Sequence, residues 1–211
     1  ADASRVFKSK SDEAGSDGVL FELRPLPSTD SNQIVETIYR LLAKSRLILN
    51  ASENFKDYSI NTIFNPTNLM MLGISNYTDN YRTLAAGFHL HYGLPWQLLG
   101  RQKQFVATQM VRVLDYYVGI PAMIHEGEKD STRRLCTWSP YGKPGNYRVD
   151  FRTLEYRVPG AALMKHPLLA GGLLALGGVV VEDIVSRIKE ATNNFENFSD
   201  FNRNIDEIKL L

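Results

Sequence analysis

Phe88-His89-Leu90-His91-Tyr92, introduced by Ala85-Ala86-Gly87 and closed by Gly93 and Pro95, is the stretch on which the fold turns. Aromatic and apolar residues set between a glycine and a proline read as a short strand. From Trp96 to Val118 the period changes. Phe105, Val106, Met110, Val113, Leu114 and Tyr117 make an apolar stripe at helical spacing, which Gly119 and Pro121 are expected to end. The same succession occurs earlier: Val19-Leu20-Phe21-Glu22-Leu23, stopped by Arg24-Pro25, reads as a strand, and Asp30 with Gln33 forms a capping pair ahead of a helix over 31–47. Tyr147 to Arg157 reads as strands again, and 182–191 as a last helix. Helices near 31–47, 97–118 and 182–191, each with a face to cover, predict an α+β fold in which they lie over a sheet. Strand order is not legible at this level.

The remaining segments are expected to connect or to trail. Residues 1–18 are rich in Ser, Asp, Lys and Gly without periodicity and predict a flexible lead-in, 125–146 is polar and loop-like, and 192–211 is a polar tail. One domain over 19–191 is left. The apolar run Pro167 to Val181 is shorter than the roughly 20 residues a membrane-crossing helix needs, so it is expected to be buried and no membrane partner is expected.

With 44% hydrophobic and 22% charged residues, the 211-residue chain has the balance of a protein that folds. Twenty-four Lys and Arg against 23 Asp and Glu give a formal charge of +1, so any anion must be held by a local cluster and not by a global field. The single cysteine, Cys136, cannot form an intrachain disulfide, and the first residues lack a signal-peptide pattern. Both favour a cytoplasmic setting.

Side chains two apart on a strand share a face, which makes two spacings informative. His89 and His91 are so placed, as are Glu155 and Arg157, while Glu22 is an acid inside an apolar strand. Each has an ordinary explanation alone: strand histidines are usually satisfied by carbonyls or water, and Glu-x-Arg is usually an ion pair. Taken together with the arginine-rich loop that holds Arg133 and Arg134, they form the parts of one kind of site. Carboxylates with some imidazole suit Mg²⁺ or Mn²⁺, and arginines suit a bidentate grip on phosphate or carboxylate. The combination points to phosphoryl transfer from ATP to a carboxylate.

The segments Asp17-Gly18 to Pro25, Tyr81-Arg82-Thr83-Leu84-Ala85-Ala86-Gly87-Phe88-His89-Leu90-His91, Leu114-Asp115-Tyr116-Tyr117-Val118-Gly119-Ile120-Pro121, Tyr141-Gly142 to Arg148 and Leu154-Glu155-Tyr156-Arg157 occur in an order that resembles the phage-encoded carboxylate–amine ligases, relatives of glutamine synthetase and glutamate–cysteine ligase. The resemblance implies a curved, mainly antiparallel sheet with the site on its concave face, and a reaction through an acyl phosphate. It implies metal-binding positions at His89 and Glu155, with Glu22 on an acid-bearing strand and His91 either a ligand or a group supporting one. By the same resemblance Arg157 grips the acyl phosphate or the carboxylate substrate, Arg148 a nucleotide phosphate or the substrate, and Arg82, Arg133 and Arg152 belong to the ATP side. The implied partners are a small-molecule or peptide carboxylate and an amine. The family's opening acid-bearing strand has no counterpart before Asp17, which predicts a missing first strand, supplied by a longer chain or a second chain.

Two other readings come from different classes. A ligase-fold protein that has lost turnover and serves as a binding or structural component, such as a phage virion protein, fits the missing strand. Nucleic-acid binding through Arg133, Arg134, Lys143, Arg148 and Arg152, interleaved with Trp138, Tyr141 and Tyr147, is disfavoured by the near-neutral charge and the lack of a reading motif.

Overall fold

The apolar strand Leu20–Arg24 (β3) finds its first partner in the segment just before it. Glu13–Asp17 (β2) pairs with it antiparallel, from Glu13 opposite Arg24 to Asp17 opposite Leu20, and Arg5–Lys8 (β1) pairs with β2. Residues 5–8 and 13–17 are thus strands within the stretch where a flexible lead-in without a strand was expected. An acid-bearing strand does precede β3, and Arg24 Nη1 donates to Glu13 Oε1 across the ladder at 2.5 Å. Glu13-Ala14-Gly15-Ser16-Asp17 has too little apolar content to announce itself; pairing with β3 and the complete burial of Ala14 make it a strand.

A computed structural model describes residues 5–8, 13–17, 20–53, 87–94, 103–126, 133–135, 142–149 and 153–193. The chain divides into two compact units, Ala1–Leu84 and Ala85–Leu211, where one domain was expected. In the first, the helix Ser31–Ala51 (α1) packs on β2 and β3 through Val35, Thr37, Ile38, Leu41 and Ser45. Asp30 caps it, accepting from the N–H groups of Asn32 at 2.9 Å and Gln33 at 3.4 Å. Gln33 closes the capping pair indirectly: Ser28 Oγ accepts from Asp30 N–H and donates to Gln33 Oε1.

The second unit holds a three-stranded antiparallel sheet in the order Leu90–Gly93 (β4), Thr153–Tyr156 (β6), Tyr147–Val149 (β5). The described strands thus form two short sheets, not the one curved sheet expected. The helix Lys103–Leu114 (α2) runs without a break through a π-helical turn, Asp115–Gly119, into Ile120–His125 (α3). Gly119 and Pro121 therefore do not end the helix. Pro121 lacks an N–H, and the chain continues past it with Ile120 N–H reaching five residues back to Asp115 O. The buried stripe is Val106, Ala107, Met110, Val111, Val113 and Leu114, while Phe105 and Tyr117 are exposed.

Pro167–Asn193 (α4) is longer than its apolar run suggested, and Pro167–Glu190 is long and apolar enough by composition to cross a membrane. Only one side is buried, which corrects the expectation that the whole run is inside. Ala170, Leu173, Val180, Val181, Ile184 and Ile188 join the core formed with α2, the π turn and the sheet, whereas Leu168, Leu176 and Val179 face outward.

Gly177 of α4 sits where β4 comes closest. A Cβ there would overlap the hydroxyl of Tyr92, which is buried and has no hydrogen-bond partner among the described residues; burial raises its pKa. Replacing Gly by Ala in an open helix gains about 1 kcal/mol, but overpacking costs about 1–3 kcal/mol, so Gly177→Ala is expected to destabilise. Tyr92→Phe removes the obstructing atom and its desolvation cost, and should be neutral or stabilising by about 1 kcal/mol. Chemical denaturation of the two single variants and the double checks this: the double should recover the loss.

Candidate functional site

Strand register assembles the central row. His91 on β4 and Arg148 on β5 both stand directly opposite Glu155 on β6, so three polar residues cross the sheet in a line. The flanking rows, Leu90, Tyr156 and Tyr147 on one side and Tyr92, Leu154 and Val149 on the other, turn to the core, as the two-residue period requires. The apolar rows anchor the sheet and the polar row is held between them.

Glu155 is the centre of the cluster and is 4% exposed. Arg157 embraces it, with Nε 2.9 Å from Oε1 and Nη2 donating to Oε2 at 3.0 Å. Arg148 Nε lies 2.7 Å from Oε2, His89 Nδ1 3.0 Å from Oε1, and His91 Nε2 4.0 Å from Oε1. Burial alone would push this carboxyl up; the hydrogen bond and charge of Arg157, with His91 and Arg148, hold it below its ordinary range.

His89 precedes the strand and reaches Glu155 from a bend. A Cβ on Gly87 would overlap the imidazole, so the glycine leaves room for the ring to fold back. Gly87 bridges to Gly160, and Phe88 N–H donates to Pro159 O at 2.9 Å. That 158–160 segment is fixed in turn by a buried ion pair: Arg134 Nη1 donates to Glu126 Oε2 at 2.5 Å and Nη2 to Val158 O at 2.9 Å, while Glu126 Oε1 accepts Gly160 N–H at 2.6 Å. The loop arginine Arg134 is therefore a framework residue, buried and engaged, which removes it from a nucleic-acid face.

Sequence reasoning also passed over Asp115. Its carboxylate accepts Gly145 N–H at 2.6 Å and Tyr156 O–H at 2.7 Å, and burial raises its pKa against both bonds. An acid in the middle of an apolar helical stripe, four residues before a glycine, was the available signal. Glu126 left none, since nothing in the local pattern distinguishes it from a solvated helix end.

The other sequence-predicted residues fall as follows. Glu22 stands on β3 of the first unit, beside Arg24, with which it forms an ion pair, and not in the sheet that carries Glu155. The backbone of Arg133 lies in the short 3₁₀ turn Arg133–Leu135. Arg82 and Arg152 lie outside the described residues.

The donor set does not fit a divalent metal as it stands. A carboxylate offers about four lone-pair directions, and those of Glu155 face two nitrogens of Arg157, one of Arg148 and one of His89. Among the described residues no group of three or more His, Cys, Asp or Glu side chains is arranged to hold a metal ion. Two guanidiniums against one carboxylate leave surplus positive charge, which suits an oxyanion instead.

The chain is thus an α+β protein in which arginines and histidines surround a buried carboxylate. The family model described as phage phiEco32-like COOH.NH2 ligase-type 2 matches residues 5–203, and the chain belongs to that family. No curated protein and no solved structure matches it significantly.

Proposed function

We propose that this chain is an ATP-dependent ligase that joins a carboxylate to an amine through an acyl phosphate, on a catalytic fold of the glutamine-synthetase type. Membership of a carboxylate–amine ligase family supports the reaction class. The observation that carries the assignment of the site is the His91–Glu155–Arg148 row, closed by Arg157 and His89, with its net positive charge. Arg157 and Arg148 take the roles of gripping the anionic groups, and Glu155 holds both guanidiniums in a fixed plane until an oxyanion competes for them.

In the proposed sequence the γ-phosphoryl group leaves ADP as its bond to the bridging oxygen breaks and a new bond forms to a substrate carboxylate oxygen. The amine nitrogen then attacks the acyl carbon, inorganic phosphate departs, and the amine loses a proton. Arginines at hydrogen-bonding distance from the oxygens in transit lower both barriers, since charge is spread over those oxygens in each transition state. Magnesium or manganese enters as part of the ATP substrate. A cytoplasmic setting, that of a bacterial host for a phage chain, belongs to the same reading.

The test is a titration with magnesium-ATP followed by an ADP-release assay. Ligand at a hundred times its dissociation constant should add about 2.7 kcal/mol to the folded state, and ADP should appear only when a carboxylate and an amine are both supplied. Absence of both effects would favour a ligase-fold protein that serves as a binding or structural phage component.

A further inference from the structure

We propose that Asp115 is a positioning residue for Arg148 and Arg157, and that the π-helical turn serves to aim its carboxylate at the backbone and side chain that place them. The geometry is that of one carboxylate holding two segments at once. Oδ2 takes the N–H of Gly145, in the turn that leads into β5, three residues before Arg148. Oδ1 takes the hydroxyl of Tyr156, which stands on β6 between Glu155 and Arg157.

Gly142 and Gly145 both have positive φ, 76° and 78°, a backbone shape that glycine adopts without strain and without a side chain to anchor it. Asn146 N–H donates to Lys143 O and closes the turn on itself, and Arg157 N–H donates to Asn146 O, so the end of the turn and the arginine backbone move as one piece. Asp115 ties that piece to the helix.

A second tether shows the same helix face at work. Gln104 Nε2 donates to Tyr147 Oη at 2.7 Å, and Thr108 Oγ1 shares a hydrogen bond with the same oxygen at 2.7 Å. Residues 104, 108 and 115 fall on one stripe of a helix, so the chain before Arg148 is gripped at two points, Gly145 in the turn and Tyr147 at the start of β5. Gly119 completes the device: a Cβ there would come within 2.5 Å of Tyr156 Oη and 3.5 Å of Asp115 Oδ1, so its absence leaves space for that bond. π turns are rare and concentrate at functional sites, because the extra residue redirects side chains that a regular helix would misplace. Burial raises the pKa of Asp115 despite its two donors, so keeping a carboxylate here carries a cost that packing alone does not require.

This inference rests on the ligase reading for what the arginines grip, but its geometric content can be tested without it. The whole chain, labelled with nitrogen-15, is compared with Asp115→Asn, Tyr156→Phe and a control, Ile184→Val, which loosens the core of the same unit from α4. The Nε–H signals of Arg148 and Arg157, assigned with the Arg148→Lys and Arg157→Lys variants, are followed by hydrogen exchange. Asp115→Asn should speed exchange at both arginines by about tenfold, Tyr156→Phe should do so at Arg157, and Ile184→Val at neither. Unchanged exchange in folded Asp115→Asn, or equal acceleration in the control, overturns the proposal. If Asp115→Asn does not fold, Tyr156→Phe decides it through Arg157 alone. Magnesium-ATP affinity, read by calorimetry on the same samples, should fall in Asp115→Asn. A wild-type chain that binds no ATP sinks the ligase reading, and the exchange rates still decide the role of Asp115.

Discussion

Arg134→Met is expected to destabilise the second unit by about 3–5 kcal/mol, because it strands a carboxylate in the core. The side chain of Glu126 is fully buried and that of Arg134 nearly so. Their attraction offsets a desolvation cost that neither would bear alone, and the change takes from Glu126 its guanidinium partner while the N–H of Gly160 stays. Methionine retains most of the arginine stem's packing, so the loss reads the charge and not a cavity. For a chain of this size the corresponding drop in unfolding temperature is roughly 6–20 °C. Thermal unfolding followed by circular dichroism measures the drop. The double variant Glu126→Leu/Arg134→Met should recover most of the loss, since an apolar pair of similar volume carries no stranded charge. A single Arg134→Met variant within 1 kcal/mol of the wild type would, on the scale of about 3–5 kcal/mol, show that the pair does not hold the 158–160 segment.

Glu155→Gln should separate binding from turnover. The amide keeps the shape but presents an NH₂ group to at least one guanidinium, and it removes the charge that orients Arg157 and Arg148. Two effects then compete. Losing a carboxylate from an anion site strengthens the attraction for phosphate, whereas misaimed arginines fail in the transition state. Affinity for magnesium-free pyrophosphate or ATP is expected to hold or rise, while ligation falls by about 10²–10³-fold, the usual consequence of losing one well-aimed donor to a developing oxyanion. If Glu155 served as a metal ligand, magnesium-ATP affinity would fall instead, and that outcome would reverse the role given to it here. Stability should fall too, toward the lower end of about 3–5 kcal/mol because Arg148 is largely solvated.

The pH dependence carries an independent sign. The folded-state pKa of Glu155 is held below its unfolded value of about 4.3, so its contribution is present above that pH and disappears as pH falls through the depressed value. The gap in urea stability between wild type and Glu155→Gln should therefore be full at pH 7 and shrink on acidification below about pH 4. A gap that widens in acid would contradict the pairing.

The sequence by itself determined the local elements whose cause is local. The Asp30 cap, the periodic face of α1, the strand closed by Gly93 and the apolar stripe of α2 follow from spacing that neighbours alone enforce. It also marked His89, His91, Glu155 and Arg157 by their two-residue spacing, and Arg148 by the order of motifs, although only His91, Arg148 and Glu155 lie inside the strands. What it could not supply was which strand faces which. Register put His91 and Arg148 opposite Glu155, and only then was Glu155 seen to be ringed by arginine and histidine. The strand at Glu13–Asp17 was equally hidden, since its stability comes from its partner β3 and not from its own residues. Gly119 and Pro121 looked like a stop. A fixed φ and a missing donor usually are one, but here the helix widens by one residue, the widened turn packs on α4, and the helix runs on to His125. Asp115 and Glu126 each hold a backbone N–H 30 or more residues away, Gly145 for the first and Gly160 for the second, and such pairings exist only once the tertiary structure has closed.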